Sequence, residues 1–232
     1  DVNIIMTVNP NTKKILLTTT PRDYYVQIPE VSGDAKDKLT HAGIYGVDAS
    51  MRTLGQLYGI DIKYYARVNF TSLITIVDAL GGVDVNSEYA FDAGGYGFKK
   101  GINHLNGDAA LAFSRERYSF SAGDNQRGKN QEAVLTAILN KAMSPAILKN
   151  ANEVIAKVGN SVETNMTDKE MAKFINMQLS DNAAWSIESV AASGSGDMLP
   201  CYSSGSQPLY VMHPDMAVVG EISNKMQEVL SE

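Results

Sequence analysis

The sequence predicts an α/β fold, a three-layer α-β-α sandwich with a mixed central sheet, and three observations carry that expectation. Residues 2–8 and 15–20 are β-branched and aliphatic runs of strand length. Apolar side chains recur at three- and four-residue steps over 48–58, 70–80 and 134–142, the period of a helix with one buried face. The two kinds of segment follow one another with no low-complexity linker, which implies helices on both faces of a sheet. With 232 residues and 44% hydrophobic content, the chain reads as a single domain over 1–232.

The first two strands flank the turn-rich Asn9-Pro10-Asn11-Thr12-Lys13-Lys14 and so form a hairpin. Pairing Val8 with Lys14 sets Asp1 opposite Pro21, and a slip of one residue still brings Asp1 to the Pro21-Arg22-Asp23 corner. A carboxylate at a strand end is a usual Mg²⁺ ligand, and a plain Asp1–Arg22 ion pair is the other reading. Residues 24–28 continue as a short strand, and 29–38 are polar and turn-rich. Met51, Leu54 and Leu57 place a helix over 48–58 that Gly59 stops. A strand over 63–68, an apolar helix over 70–80 and the Gly81-Gly82 stop before a strand at 83–85 read as a β-α-β unit.

Residues 86–101 are rich in Gly, Asp and Tyr without periodicity, the pattern of a surface excursion. Asn106 caps a short helix over 109–113 that delivers Arg115. Helices follow at 124–142, 146–158 and 168–179, then a strand at 185–190 and a hairpin ending at 210–212. A terminal helix runs from Asp215 to Leu230, after Pro214.

Residues 114–131 concentrate Arg115, Arg117, Arg127 and Lys129 ahead of the longest helix. Followed backwards from Ile138, its apolar stripe passes through Val134 and then Gln131, Arg127 and Asp124, so the inward face turns polar in its first turns. Asp124 suits the N-cap. A helix N-terminus with guanidinium groups on its inner face is built for phosphate or carboxylate. An extended backbone at Arg115-Glu116-Arg117 would send both arginines to one side, with Glu116 opposite or pairing with them. A solvated loop with local ion pairs is the ordinary alternative, and the inward stripe weighs against it.

Net charge is −6 and no Lys/Arg run exceeds two residues, so the broad basic face that nucleic acid requires is missing. Cys201 stands alone, which rules out an intrachain disulfide and makes a poor nucleophile. His41, His104 and His213 are scattered; His41, just before Gly43, is the least ordinary. Phosphate-loop, dinucleotide-binding, zinc-protease and nucleophile-elbow patterns are absent. No apolar run approaches eighteen residues, and the abrupt start on Asp1 reads as a piece of a longer protein.

Six ordered blocks span 1–142: D-V-N-I-I-M, V-N-P, T-T-T-P-R-D, D-A-L-G-G-V-D-V, L-N-G-D-A-A-L-A-F-S-R-E-R and D-N-Q-R-G-K-N-Q. Together they resemble the LytR-CpsA-Psr family. The resemblance implies a membrane-tethered transferase on the extracytoplasmic face of the cell membrane, mostly of Gram-positive bacteria. Such an enzyme moves a glycopolymer phosphate, teichoic acid or capsule, from a polyprenyl-pyrophosphate carrier onto peptidoglycan with Mg²⁺, Mn²⁺ being the alternative ion. By resemblance, Arg22, Arg115, Arg117 and Arg127 bind the pyrophosphate with Gln131, and Asp1 binds the metal. A further acidic residue, an arginine and the membrane anchor are expected upstream of Asp1.

Displacement at phosphorus needs charge neutralisation more than a protein nucleophile, which the four arginines supply. Asp124 either caps its helix or takes the proton of the incoming sugar hydroxyl. The lipid implies an apolar tunnel walled by 48–58, 70–80 and 134–142. A polyprenyl-pyrophosphate hydrolase and a non-catalytic polyprenyl-phosphate-binding protein are the competing readings. A transcription regulator is opposed by the acidic charge and the lack of a helix-turn-helix pattern.

Overall fold

Strand β1 (Asn3–Asn9) turns back into β2 (Lys14–Thr20) because Asn9 closes the connection on itself, its Oδ1 accepting from the N–H of Asn11 at 2.9 Å and of Thr12 at 3.3 Å. The register pairs Val8 with Ile15 and Asn3 with Thr20. This is one residue away from the Val8–Lys14 pairing expected, since Asn9 itself belongs to the ladder opposite Lys14. The computed structural model describes residues 2–119 and 124–232, with the side chains of 124 and 125 outside that description.

The corner after β2 is tied by its backbone: Tyr24 N–H donates to Pro21 O at 3.2 Å, and Thr40 N–H to Arg22 O at 2.9 Å. Then come β3 (Tyr25–Gln27) and its antiparallel partner β4 (Lys36–Lys38), the latter inside a stretch expected to be only turns. A single helical turn, α1 (Leu39–Ala42), precedes α2 (Val47–Tyr58), which ends at Gly59 in the left-handed conformation, φ 66°. Its buried face is Ala49, Thr53, Leu54 and Tyr58, so the stripe is displaced from the expected Met51 and Leu57, which are half-buried.

Residues 66–184 form a compact unit of their own, inserted between the two halves of another, 1–65 and 185–232. The inserted unit opens on β5 (Ala66–Arg67), a remnant of the longer strand expected. Asn69 caps α3 (Phe70–Ala79) by accepting from Ser72 N–H at 2.8 Å, and Gly81 and Gly82 follow with positive φ. Strand β6 (Val83–Ser87) belongs to a different sheet from β5, which corrects the β-α-β reading. The supposed excursion is a hairpin, β7 (Phe91–Ala93) and β8 (Tyr96–Phe98), leading to β9 (Gly101–Leu105) antiparallel to β6. Its strands are too short for alternation to show, yet Phe91 and Phe98 are buried.

Helix α4 (Gly107–Arg115) starts at Asn106, whose Oδ1 accepts from Ala109 N–H at 2.9 Å. Gly107 permits its tight approach to α3: a Cβ there would lie 2.5 Å from the Ile74 carbonyl. The long helix α5 (Asp124–Ala142) matches expectation at both ends. The helix expected over 146–158 is broken at Asn150 into α6 (Pro145–Lys149) and α7 (Ala151–Val158). Strand β10 (Glu163–Thr164) pairs with β5, and α8 (Asp168–Asp181) begins with a reciprocal Thr167–Glu170 cap. Val77, Leu80, Phe91, Phe98, Phe113, Val134 and Ala137 share this unit's core.

Back in the first unit, β11 (Ser186–Ala191) joins β2 in parallel, giving the mixed three-stranded sheet β1-β2-β11. Hairpin β12 (Gly194–Pro200) with β13 (Pro208–Pro214) follows, then α9 (Met216–Ser231), capped by Asp215. Ile5, Leu16, Leu54, Tyr58, Val219, Ile222 and Met226 form its core, so α2 and α9 cover one face of the sheet. On the opposite face of β2, Ile15 and Leu17 are also buried. Burial on both faces is what the middle layer of an α/β sandwich requires.

Candidate functional site

Arg22 owes its position to a corner whose every neighbour is spoken for. The Arg22 carbonyl accepts from Thr40, Asp23 O accepts from Met212 N–H at 2.7 Å, and the Asp23 carboxylate takes Lys38 Nζ at 2.9 Å. The backbone is held and the Arg22 side chain is exposed, with no ion pair among the described residues. This corner lies in the first unit.

In the inserted unit, Arg115 is the last residue of α4, so the extended backbone starts only at Glu116 (φ −66°, ψ 131°). The Arg115 guanidinium lies over the Phe70 ring, 4.7 Å from its centroid, and Phe70 is the first residue of α3. Arg117 lies over the Tyr118 ring at 4.7 Å and donates to its hydroxyl at 2.5 Å. A ring against the flat face of a guanidinium orients that cation. Glu116 plays a role the sequence did not suggest: its Oε1 accepts from Tyr118 N–H at 2.6 Å and Ser119 N–H at 2.7 Å. The Ser119 amide above all holds its carboxyl below the usual glutamate range.

The start of α5 faces inward with polar groups, but along a stripe rotated from the expected one. Gln126, Asn130, Glu132, Val134 and Ala137 are its buried residues among those described, whereas Arg127 and Gln131 are half-buried beside them. The cause is the end of α4: Asn130 Nδ2 donates to the Phe113 carbonyl at 3.2 Å, and Gln126 Nε2 donates to Asn130 Oδ1 at 3.1 Å. Phe113 O is one of the carbonyls that a helix terminus leaves without an intrahelical partner. This link brings the Arg115 end of α4 beside the first turns of α5, which carry Arg127. Sequence reasoning missed Gln126, Asn130, Phe70 and Tyr118; an aromatic next to Arg117 was the one legible signal.

Asp1 and the side chain of Asp124 lie outside the described residues. Among the described residues no three His, Cys, Asp or Glu side chains gather as a metal site. Mg²⁺ needs only one or two carboxylates when phosphate and water complete its shell, so the donor chemistry of Asp1 fits such an ion. Cys201 is buried, and burial pushes its thiol up, away from nucleophilic use. Segments 70–80 and 134–142 share the inserted unit's core, while 48–58 belongs to the other core. No helix among the described residues is long and apolar enough to cross a membrane.

The chain is 38% identical over 173 residues to the polyisoprenyl-teichoic acid–peptidoglycan teichoic acid transferase TagU of Oceanobacillus iheyensis, covering 72% of this chain and 53% of that relative. The chain thus spans about half the length of that relative. The Bacillus mycoides protein of the same name is 34% identical over 229 residues, 98% of this chain and 72% of that protein. The crystal structure of B. subtilis TagU superposes with a TM-score of 0.78 at 30% identity, covering all of this chain and 92% of that one. Residues 1–227 match the LytR_cpsA_psr family throughout both units, and the chain belongs to that family.

Proposed function

We propose that this chain is the catalytic part of a transferase that moves a glycopolymer phosphate, teichoic acid by preference, from a polyprenyl-pyrophosphate carrier to a peptidoglycan hydroxyl. The relatives' shared name as teichoic acid transferases supports the substrate class. The observation that carries the chemistry is the ring-backed pair Arg115 and Arg117 beside the first turns of α5. Glu116 is committed to backbone amides, and an arginine fork matches phosphate oxygens in pairs.

In this reading residues 1–232 act as one domain, and Arg22, Arg115, Arg117 and Arg127 clamp the pyrophosphate with Gln131 donating beside them. The acceptor hydroxyl attacks the phosphorus that carries the glycan. An oxygen–phosphorus bond forms, the bridging P–O bond breaks, and polyprenyl phosphate leaves with its new charge held by the arginines. Asp124 caps α5 or accepts the hydroxyl proton. Asp1 would hold Mg²⁺, or Mn²⁺ in its place, which supplies further neutralisation of the pyrophosphate when bound. The working site is the outer face of a Gram-positive cell membrane, reached through an anchor preceding this domain.

The test is to incubate the chain with Mg²⁺, a polyprenyl-pyrophosphate-linked glycan and peptidoglycan. Glycan phosphate covalently attached to the peptidoglycan is expected. Release of phosphate without attachment would assign the chain to hydrolysis instead, and bound lipid with neither product would make it a carrier. Arg127→Ala should weaken pyrophosphate binding by about 2–3 kcal/mol through lost charge-assisted bonds; an unchanged affinity in calorimetry removes Arg127 from the clamp.

A further inference from the structure

In the unit formed by 1–65 and 185–232, which also carries Arg22, the β3–β4 pair and the turn at residues 201–205 border an open depression of about 510 Å³. Tyr25, Asp34, Lys36, Pro200, Cys201 and Tyr202 line it. Its volume falls in the range of small-molecule sites, roughly 300–1,000 Å³.

Both aromatic walls are held in place before anything binds. Tyr25 donates its hydroxyl to Pro200 O at 2.9 Å, the His213 ring stands perpendicular to it with centroids 6.0 Å apart, and Lys36 Nζ lies over it at 5.7 Å. The turn that carries Tyr202 is pinned from below by Asp37, whose side chain is fully buried. Asp37 Oδ2 accepts from Ser203 N–H at 2.8 Å, and Oδ1 takes His41 Nδ1 at 2.6 Å. Ser203 Oγ lies 2.9 Å from the same His41 nitrogen. A hydrolytic triad needs carboxylate and hydroxyl on opposite ring nitrogens, so this cluster is a brace and not a nucleophile. Tyr202 itself stays 47% exposed, with Tyr45 against it at 6.4 Å.

We infer that this depression binds a pyranose ring of a glycan strand, with Tyr202 as the stacking surface and Asp34 and Lys36, whose ammonium lies over the Tyr25 ring, as hydrogen-bonding groups at the rim. The C–H face of a pyranose is apolar and packs on an aromatic ring, while its equatorial hydroxyls seek donors and acceptors of both signs at the edge. One carboxylate and one ammonium on the rim offer both and sum to no net charge. A polyanion would need several cations here, and an acyl chain would need continuous aliphatic walls. The pinned turn means that little side-chain freedom is lost on binding.

The proposal does not rest on the phosphate chemistry assigned to Arg22, Arg115, Arg117 and Arg127, and its test keeps the two apart. Chitotetraose is titrated into the full chain while aromatic resonances are followed by NMR. Saturable shifts at Tyr25 and Tyr202 are expected. Tyr202→Ala, at an exposed position, should lower the affinity about tenfold with unchanged thermal stability, and Tyr202→Phe should retain it. Arg127→Ala should keep the tetrasaccharide while losing pyrophosphate. Absence of saturable binding, equal affinity in Tyr202→Ala, or loss of binding in Arg127→Ala would each overturn the assignment.

Discussion

Arg115 and Arg117 show how a single aromatic neighbour decides what an arginine is for. A surface guanidinium samples many rotamers, and ordering it costs up to about 2 kcal/mol. Phe70 and Tyr118 carry part of that cost before an anion arrives. Phe70→Ala should therefore weaken pyrophosphate binding about two- to fivefold, the worth of an exposed cation–π contact, with little loss of stability. Calorimetric titration checks this, and an unchanged constant would mean that the ring does not prepare Arg115. Asp37 obeys a different logic. Burial pushes its carboxyl up, but hydrogen bonds from His41, Ser203 and Lys38 outweigh that and leave it below the ordinary aspartate range. The ionised group thus stabilises the fold above the ordinary aspartate pKa, and that stability is lost as pH falls through the lower folded value. Asp37→Asn should cost about 1–3 kcal/mol near neutrality, because an amide N–H would meet a donor it cannot pair with. It should also flatten the acid limb of urea stability measured from about pH 7 to about pH 3.

Among the elements, α4 and α5 depend on each other through one side chain. Asn130→Ala would leave the Phe113 carbonyl and the Gln126 amide buried without their partner. A loss of about 1–3 kcal/mol in urea unfolding is expected, together with weaker pyrophosphate binding although Asn130 is not assigned to the clamp. Stability loss with an intact binding constant would show that the α4 end needs no such support. Elements that announce themselves locally were legible: Asn106 and Asn69 as caps, Gly59 as a left-handed stop, and the full span of α5. Tertiary partners hid the rest. The polar stripe of α5 is rotated because Asn130 follows a carbonyl seventeen residues away, and Asp37 is buried because Ser203, 166 residues along, closes over it. Strands of two or three residues, such as β5, β7 and β8, are too short to show a period.

At the scale of the molecule, the inserted unit has its own aromatic core, and β5 and β10 pair within it. A fragment of residues 66–184 should therefore give helical circular dichroism and a cooperative thermal transition. A non-cooperative melt would show that this core is completed only by the rest of the chain. The family blocks made the arginines findable in sequence, whereas the glycan depression was not, because its walls come from residues near 25 and 36 and others near 200.

The parallel pairing of β2 with β11 also sets a schedule. Residues 14–19 must wait for residues 186–191, so one edge of an apolar strand stays open while the entire inserted unit is synthesised. Such long-range closure is slow and leaves the nascent chain prone to edge-to-edge association. If this domain crosses a membrane before it folds, the far side receives β2 as an unmatched ribbon and completes it only when the last fifth of the chain arrives.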